Sequence, residues 1–189
     1  AAARDSVAAA MDLPPAARLT AFADRAAIAE LVEVYHRGNA TNLSLLTAIL
    51  LRHEGMAPGQ PLPPAPRGAM LPAPPPLPRL AALPEETRAQ ILGLTAAHAL
   101  SDAAVVPSLY LHLALWPYFL AQLPAVLAPL HADGGLKRAR AAAVAAARQA
   151  APGLIAALGP APAPPPDLPA FLSRLRVFGG LHHSSATDV

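Results

Sequence analysis

The sequence predicts an all-α protein, and three observations lead there. Alanine and leucine dominate the 189 residues while Val, Ile, Thr and aromatics are scarce, a balance that favours helix over strand. Ile28, Leu31, Val32 and Tyr35 recur at i, i+3, i+4 and i+7, the apolar stripe of an amphipathic helix. Gly38, Gly55, Pro84, Pro107, Pro117 and the run Asp133-Gly134-Gly135 stand where helix ends are expected. At this length the expectation is one helical domain over residues 1–189, within the usual size of a single domain.

Residues 1–20 read as an N-terminal arm. Arg4, Asp5 and Asp12 interrupt their small residues, so they lack the compact apolar core of a signal peptide. The first strong element runs from about Ala21 to His36, with Arg25, Glu30, Glu33 and Arg37 filling most of its other face. Gly38 is expected to stop it. Asn39, Thr41 or Asn42 then caps a second helix over Leu43 to His53, through a side-chain oxygen that accepts from free amides, and Gly55 ends that one. The expectation is a helical hairpin with a very short connection.

Eleven prolines lie between Pro58 and Pro84, excluding regular hydrogen bonding over most of residues 56–84. Composition fits an extended connector better than a ligand for a proline-recognition domain, because Arg67 and Arg79 alone would orient a partner. A third helix is expected from Pro84, with Glu85 and Glu86 at its positive end. Pro107 opens a fourth and Pro117 another, and an Ala-rich helix covers Leu136 to Leu158. A second proline cluster precedes a short last helix around Phe171–Val177, and residues 179–189 read as a loose tail.

Composition also excludes functions. The chain has no cysteine, which removes disulfide scaffolds, thiol nucleophiles and Cys-based metal sites. Thirteen Arg and one Lys against 12 acids give a formal charge of +2, too weak and scattered for a nucleic-acid footprint. None of the seven histidines forms a His-x-x-x-His pair with a carboxylate base, so no metal is expected. Residues 103–130 carry no Asp, Glu, Lys or Arg, but Pro107, Pro117, Pro124 and Pro129 fall in that stretch. Four prolines would free backbone groups at membrane depth, so a buried helix pair is expected instead of a membrane span. A cytoplasmic protein without a cofactor follows as the expectation.

Residues 107–123 read Pro-Ser-Leu-Tyr-Leu-His-Leu-Ala-Leu-Trp-Pro-Tyr-Phe-Leu-Ala-Gln-Leu. This segment resembles the signature helix of the group I 2-haloacid dehalogenases (the DehI family), in which Ser-Asp-Tyr-Arg-x-Leu-Ala-x-Trp-Pro-x-Tyr-Leu recurs. Ser108, Tyr110, Leu113, Ala114, Trp116, Pro117 and Leu120 carry the likeness. Upstream, Tyr35-His36-Arg37-Gly38-Asn39-Ala40-Thr41-Asn42-Leu43 resembles the family's Tyr-His-Tyr-Ala-Asn-Pro-Lys-Tyr-Leu segment, at a similar distance. The likeness covers roughly residues 21–150 and implies an all-helical, alkylhydroperoxidase D-like fold. It also implies that the chain corresponds to part of a longer, two-repeat protein.

The resemblance implies hydrolysis in which a carboxylate takes a proton from the water that attacks the halogen-bearing carbon. The family's Asp follows the serine matched by Ser108, and here that position is Leu109. The expected protein therefore keeps a pocket for a small carboxylate, with Asn39, Asn42, Ser108, Leu109, Tyr110 and Trp116 as its residues, while its hydrolytic step is impaired. Asp102 is the nearest acid that could replace the base. Plainer roles stand beside these: a first-turn hydroxyl for Ser108, a cap for Asn39, and core anchors for Tyr110 and Trp116. The competing function is a non-enzymatic helical protein that self-associates, for instance as a homodimer, or binds a ligand.

Overall fold

The computed structural model describes residues 24–63, 73–98, 105–159, 167–170 and 172–173. These residues are mostly helical and contain no strand. The helices are α1 (Arg25–His53), α2 (Glu85–His98), α3 (Ser108–Leu113), α4 (Pro117–Ala132) and α5 (Gly135–Ala157), with a 3-10 turn at Leu80–Ala82. The N-terminal arm, the tail from residue 179 and most of the expected last helix lie outside the described residues. Among the described residues no helix is long and apolar enough to cross a membrane.

The expected hairpin at Gly38 is not there. α1 is one helix of 29 residues, and Gly38 sits inside it. A glycine in a helix interior costs only about 1 kcal/mol relative to alanine, and local contacts work against that cost. Arg37 Nε donates to Glu33 Oε1 at 2.8 Å one turn earlier, and His36 Nδ1 lies 3.5 Å from Glu33 Oε2. Asn39, Thr41 and Asn42 are therefore interior helix positions and cap nothing.

Gly55 does end α1. Its φ of +91° lies in the left-handed region, its N–H donates to the Arg52 carbonyl at 3.1 Å, and the Met56 N–H donates to Leu51 at 2.9 Å. These two bonds are the Schellman pattern, and Met56 folds back onto the cluster containing Leu51.

The chain divides into two compact units. Among the described residues, the first unit in the sequence holds residues 24–38, 73–98 and 105–138. Its core is Ile28 and Leu31 of α1, Ile91 and Leu94 of α2, Tyr110 and Leu113 of α3, and Phe119 and Leu120 of α4. Val32, expected on the buried stripe, is 39% exposed. α2 and α3 each pack against α4. Ile91 and Leu120 are fully buried, each contributing about 1.5–3 kcal/mol of burial free energy. Pro117 occupies the first turn of α4, where its missing N–H costs nothing. Pro124 and Pro129 lie inside the same helix, and the burial of Phe119, Leu120 and Leu130 along it offsets the two lost backbone bonds.

Among the described residues, the second unit holds residues 39–63, 139–159, 167–170 and 172–173. Ala48 and Leu51 of α1 cluster with Ala151 and Ile155 of α5. The proline-rich chain after α1 has no helix or strand at residues 56–63, yet it is held to α5. The Gly59 N–H donates to the Pro152 carbonyl at 2.9 Å, and a Cβ added at Gly153 would stand 2.7 Å from Leu62 Cγ and 3.0 Å from the Gln60 carbonyl oxygen. Gly153 is thus required for backbone approach.

The two helical glycines should respond oppositely to alanine. Gly38 has no heavy atom within 4 Å of an added Cβ, so Gly38→Ala should stabilise by about 0.5–1 kcal/mol. Gly153→Ala should destabilise despite the same gain in propensity, because the Gln60 carbonyl must move. Urea midpoints of the two variants check this. A loss of stability in Gly38→Ala would restore the expected turn.

Candidate functional site

α3 is short, and its sequence places two polar side chains on one face. Pro107 precedes it with an extended backbone, and the Pro107 carbonyl accepts from the Tyr110 N–H at 3.0 Å. Ser108 and His112 then stand four residues apart, one helical turn, above one another. Tyr35 arrives from α1 on the stripe that begins with Ile28 and Leu31, and packs against the same core.

Two of these side chains, Tyr35 and His112, are hydrogen-bonded to each other. The Tyr35 hydroxyl lies 2.6 Å from His112 Nδ1, with the rings edge-on at 5.6 Å between centroids. His112 Nε2 lies 2.7 Å from the Pro75 carbonyl oxygen. A carbonyl only accepts, so Nε2 carries the proton. In the neutral ring Nδ1 is then an acceptor, and the Tyr35 hydroxyl donates to it. Ser108 stands near Tyr35 and favours its ionised form. His112 is 4% exposed, whereas Ser108 is on the surface.

Burial pushes the Tyr35 phenol up from its ordinary value, and the nearby Ser108 pulls it part of the way back. Burial alone raises Tyr110. Both phenols are accordingly held neutral at physiological pH.

The sequence-proposed residues fall as follows. Leu109 is partly buried and packs against the core, Tyr110 is a core residue, and Trp116 is partly buried at the start of α4. Tyr110 and Trp116 thus both pack with the core of their unit. Ser108 is the first residue of α3 and is exposed. Asn39 and Asn42 are exposed on α1 in the other unit. Asp102 lies outside the described residues. Among the described residues no cluster of His, Asp or Glu could hold a metal ion.

Sequence reasoning missed His112 as the centre of a polar network. The available signal was its position, a single histidine in the stretch 103–130 that carries no charged residue, one turn after Ser108. Pro75 as its partner had no signal, since any carbonyl of the connector would serve.

The second unit has an open groove of about 420 Å³, lined by Arg52, Met56, Pro58, Ile155 and Ala156 among others. Arg52 gives it a cation, but α1 and α5 both end beside it. The partial negative charge at helix C-termini works against an anion there.

Tyr35 gives the network a stability signature. The folded chain holds the Tyr35 and Tyr110 protons more tightly than the unfolded chain does. This contribution is complete below the ordinary tyrosine value of 10.0 and is lost as pH rises through it and beyond. Urea midpoints between about pH 8 and pH 11 should fall at the alkaline end. Tyr35→Phe should flatten that fall and cost about 1–3 kcal/mol at neutral pH by orphaning His112 Nδ1.

No family model matches the chain, and neither curated proteins nor solved structures give a match.

Proposed function

We propose that the chain is a divergent 2-haloacid dehalogenase-like protein of the alkylhydroperoxidase D-like helical type. It binds a small carboxylate at Ser108 and has lost efficient hydrolysis. The supporting observation is the Tyr35–His112 hydrogen bond. Tyr35 belongs to the first segment that resembles the family and His112 to the second, one helical turn after Ser108. Two sequence likenesses thus meet at one polar point. Ser108 is its solvent-facing member, and its O–H can turn outward to a carboxylate oxygen while Tyr35 keeps its bond to His112. Leu109, beside it, is aliphatic and packs inward, so it supplies no base to activate water.

One neutral donor contributes about 0.5–1.5 kcal/mol, so binding is weak, with Kd about 1 mM or above. An NMR titration with 2-chloropropionate should move resonances around Ser108 and Tyr35 saturably. Ser108→Ala should weaken binding by roughly 2- to 10-fold. Chloride release should stay at the buffer blank. Absence of saturable shifts removes the carboxylate site, and sustained chloride release by the wild-type chain removes the claim of lost hydrolysis.

The exposed apolar residues around α3 and α4 favour a second reading, a self-associating helical protein. Val105 is 83% exposed, Tyr118 is 84% exposed, and Leu115 lies between α3 and α4 at 45%. Large exposed side chains of this kind are the usual anchors of protein contacts. Light scattering over a concentration series should then show a dimer that Tyr118→Ser weakens. A monomer at every concentration rejects that reading.

A further inference from the structure

We propose that residues 73–79, Ala-Pro-Pro-Pro-Leu-Pro-Arg, are a docking strip for a proline-recognition domain of the SH3 kind, with Arg79 held by carboxylates beside its groove. This interaction goes beyond carboxylate binding and does not depend on it. Composition alone favours a connector, because it cannot say which edges of the strip are free. Four of the seven residues are proline, whose ring fixes φ at about −65°. Ala73, Pro74, Pro75 and Leu77 each precede a proline and are driven to extended ψ as well. Residues 73–79 accordingly form no helix or strand, and Arg79 has φ −83° and ψ 130°. This is polyproline II backbone, in which residues three apart share an edge.

The Pro75–Pro78 edge is the one tied to the protein. Pro78 is partly buried, and the Pro75 carbonyl accepts from His112 Nε2 at 2.7 Å. The other two edges face solvent: Pro74 with Leu77, and Pro76 with Arg79, all four exposed and Leu77 at 47%. One free edge is apolar and the other ends in a guanidinium, the pair of surfaces that an aromatic-lined groove with an acidic flank would take. Arg79 makes no ion pair among the described residues, so its planar fork is open to a carboxylate. Just beyond the strip, Leu80 and Leu83 pack against the core of the unit. Held at Pro75 and at Leu80, the strip has already lost the conformational freedom that a loose peptide gives up on binding. The stretch at residues 56–63 lacks these features: it carries no cation, and Gly59 and Leu62 lie against Pro152 and Gly153 of α5.

The test is an NMR titration of the full-length, isotope-labelled chain with a set of purified SH3 domains whose grooves are flanked by acidic residues. A WW and an EVH1 domain are run beside them. At least one SH3 domain should shift the Ala73, Leu77, Arg79 and Leu80 amides saturably and leave Gly59 and Leu62 unmoved. Arg79→Glu and Leu77→Ala alter exposed positions, so helical circular dichroism should be retained while each weakens binding by about tenfold or more. Added salt should weaken the wild-type chain more than Arg79→Gln. No saturable shift with any of the SH3 domains overturns the proposal. Shifts centred on residues 56–63, binding by the WW or EVH1 domain alone, or full affinity in Arg79→Glu overturn it too. Because 2-chloropropionate is read around Ser108 and Tyr35, failure here leaves the carboxylate reading standing, and the reverse also holds.

Discussion

A buried imidazole has two nitrogens to satisfy, and His112 satisfies them with partners from two distant parts of the chain. Its Nε2 reaches the Pro75 carbonyl and its Nδ1 the Tyr35 hydroxyl. Leaving either partner unmade would cost about 1–3 kcal/mol, a sizeable share of the stability of a small unit. The demand therefore sets positions. It draws α1, α3 and the proline-rich segment at residues 73–79 to one point. A run of prolines cannot supply N–H donors of its own, but its carbonyls remain strong acceptors. His112 uses one of them. The connector that sequence composition describes as a spacer becomes part of the wall around a polar network.

The other proline-rich stretch follows the same logic in the second unit. The Gly59 N–H closes onto the Pro152 carbonyl, and Gly153 admits Leu62 and the Gln60 carbonyl to the helix surface. Neither stretch forms a helix or strand beyond the 3-10 turn, and each is tied down by a specific hydrogen bond, Gly59 to Pro152 and His112 to Pro75. Those contacts pair one glycine or histidine with one carbonyl, so they leave no periodic trace in the sequence.

The helical class and most helix starts were legible because they rest on local rules. Pro117 in a first turn, Glu85 and Glu86 at a positive end and Gly55 as a C-terminal stop are each decided by two or three neighbouring residues. Gly38 was misleading because the same residue type serves two purposes. At Gly55 a left-handed φ is needed, and at Gly38 nothing requires one. The difference comes from what lies on either side. Glu33 with Arg37 and His36 lengthens the helix, and the buried Thr47, Ala48, Leu50 and Leu51 reward its continuation. The site was half legible. Tyr35 and Ser108 stand out in the sequence as polar residues on helices, but the bond of Tyr35 to His112 is a tertiary fact.

Leu109, next to Ser108, packs against the apolar cluster of its unit. A carboxylate base beside Ser108 would bring a fixed negative charge to the edge of an apolar cluster, where an ion loses hydration and must be paired. Leucine removes that cost and adds its side chain to the packing. What stands beside it is the Tyr35–His112 pair, in which a phenol and an imidazole satisfy each other's hydrogen-bonding groups against the apolar core.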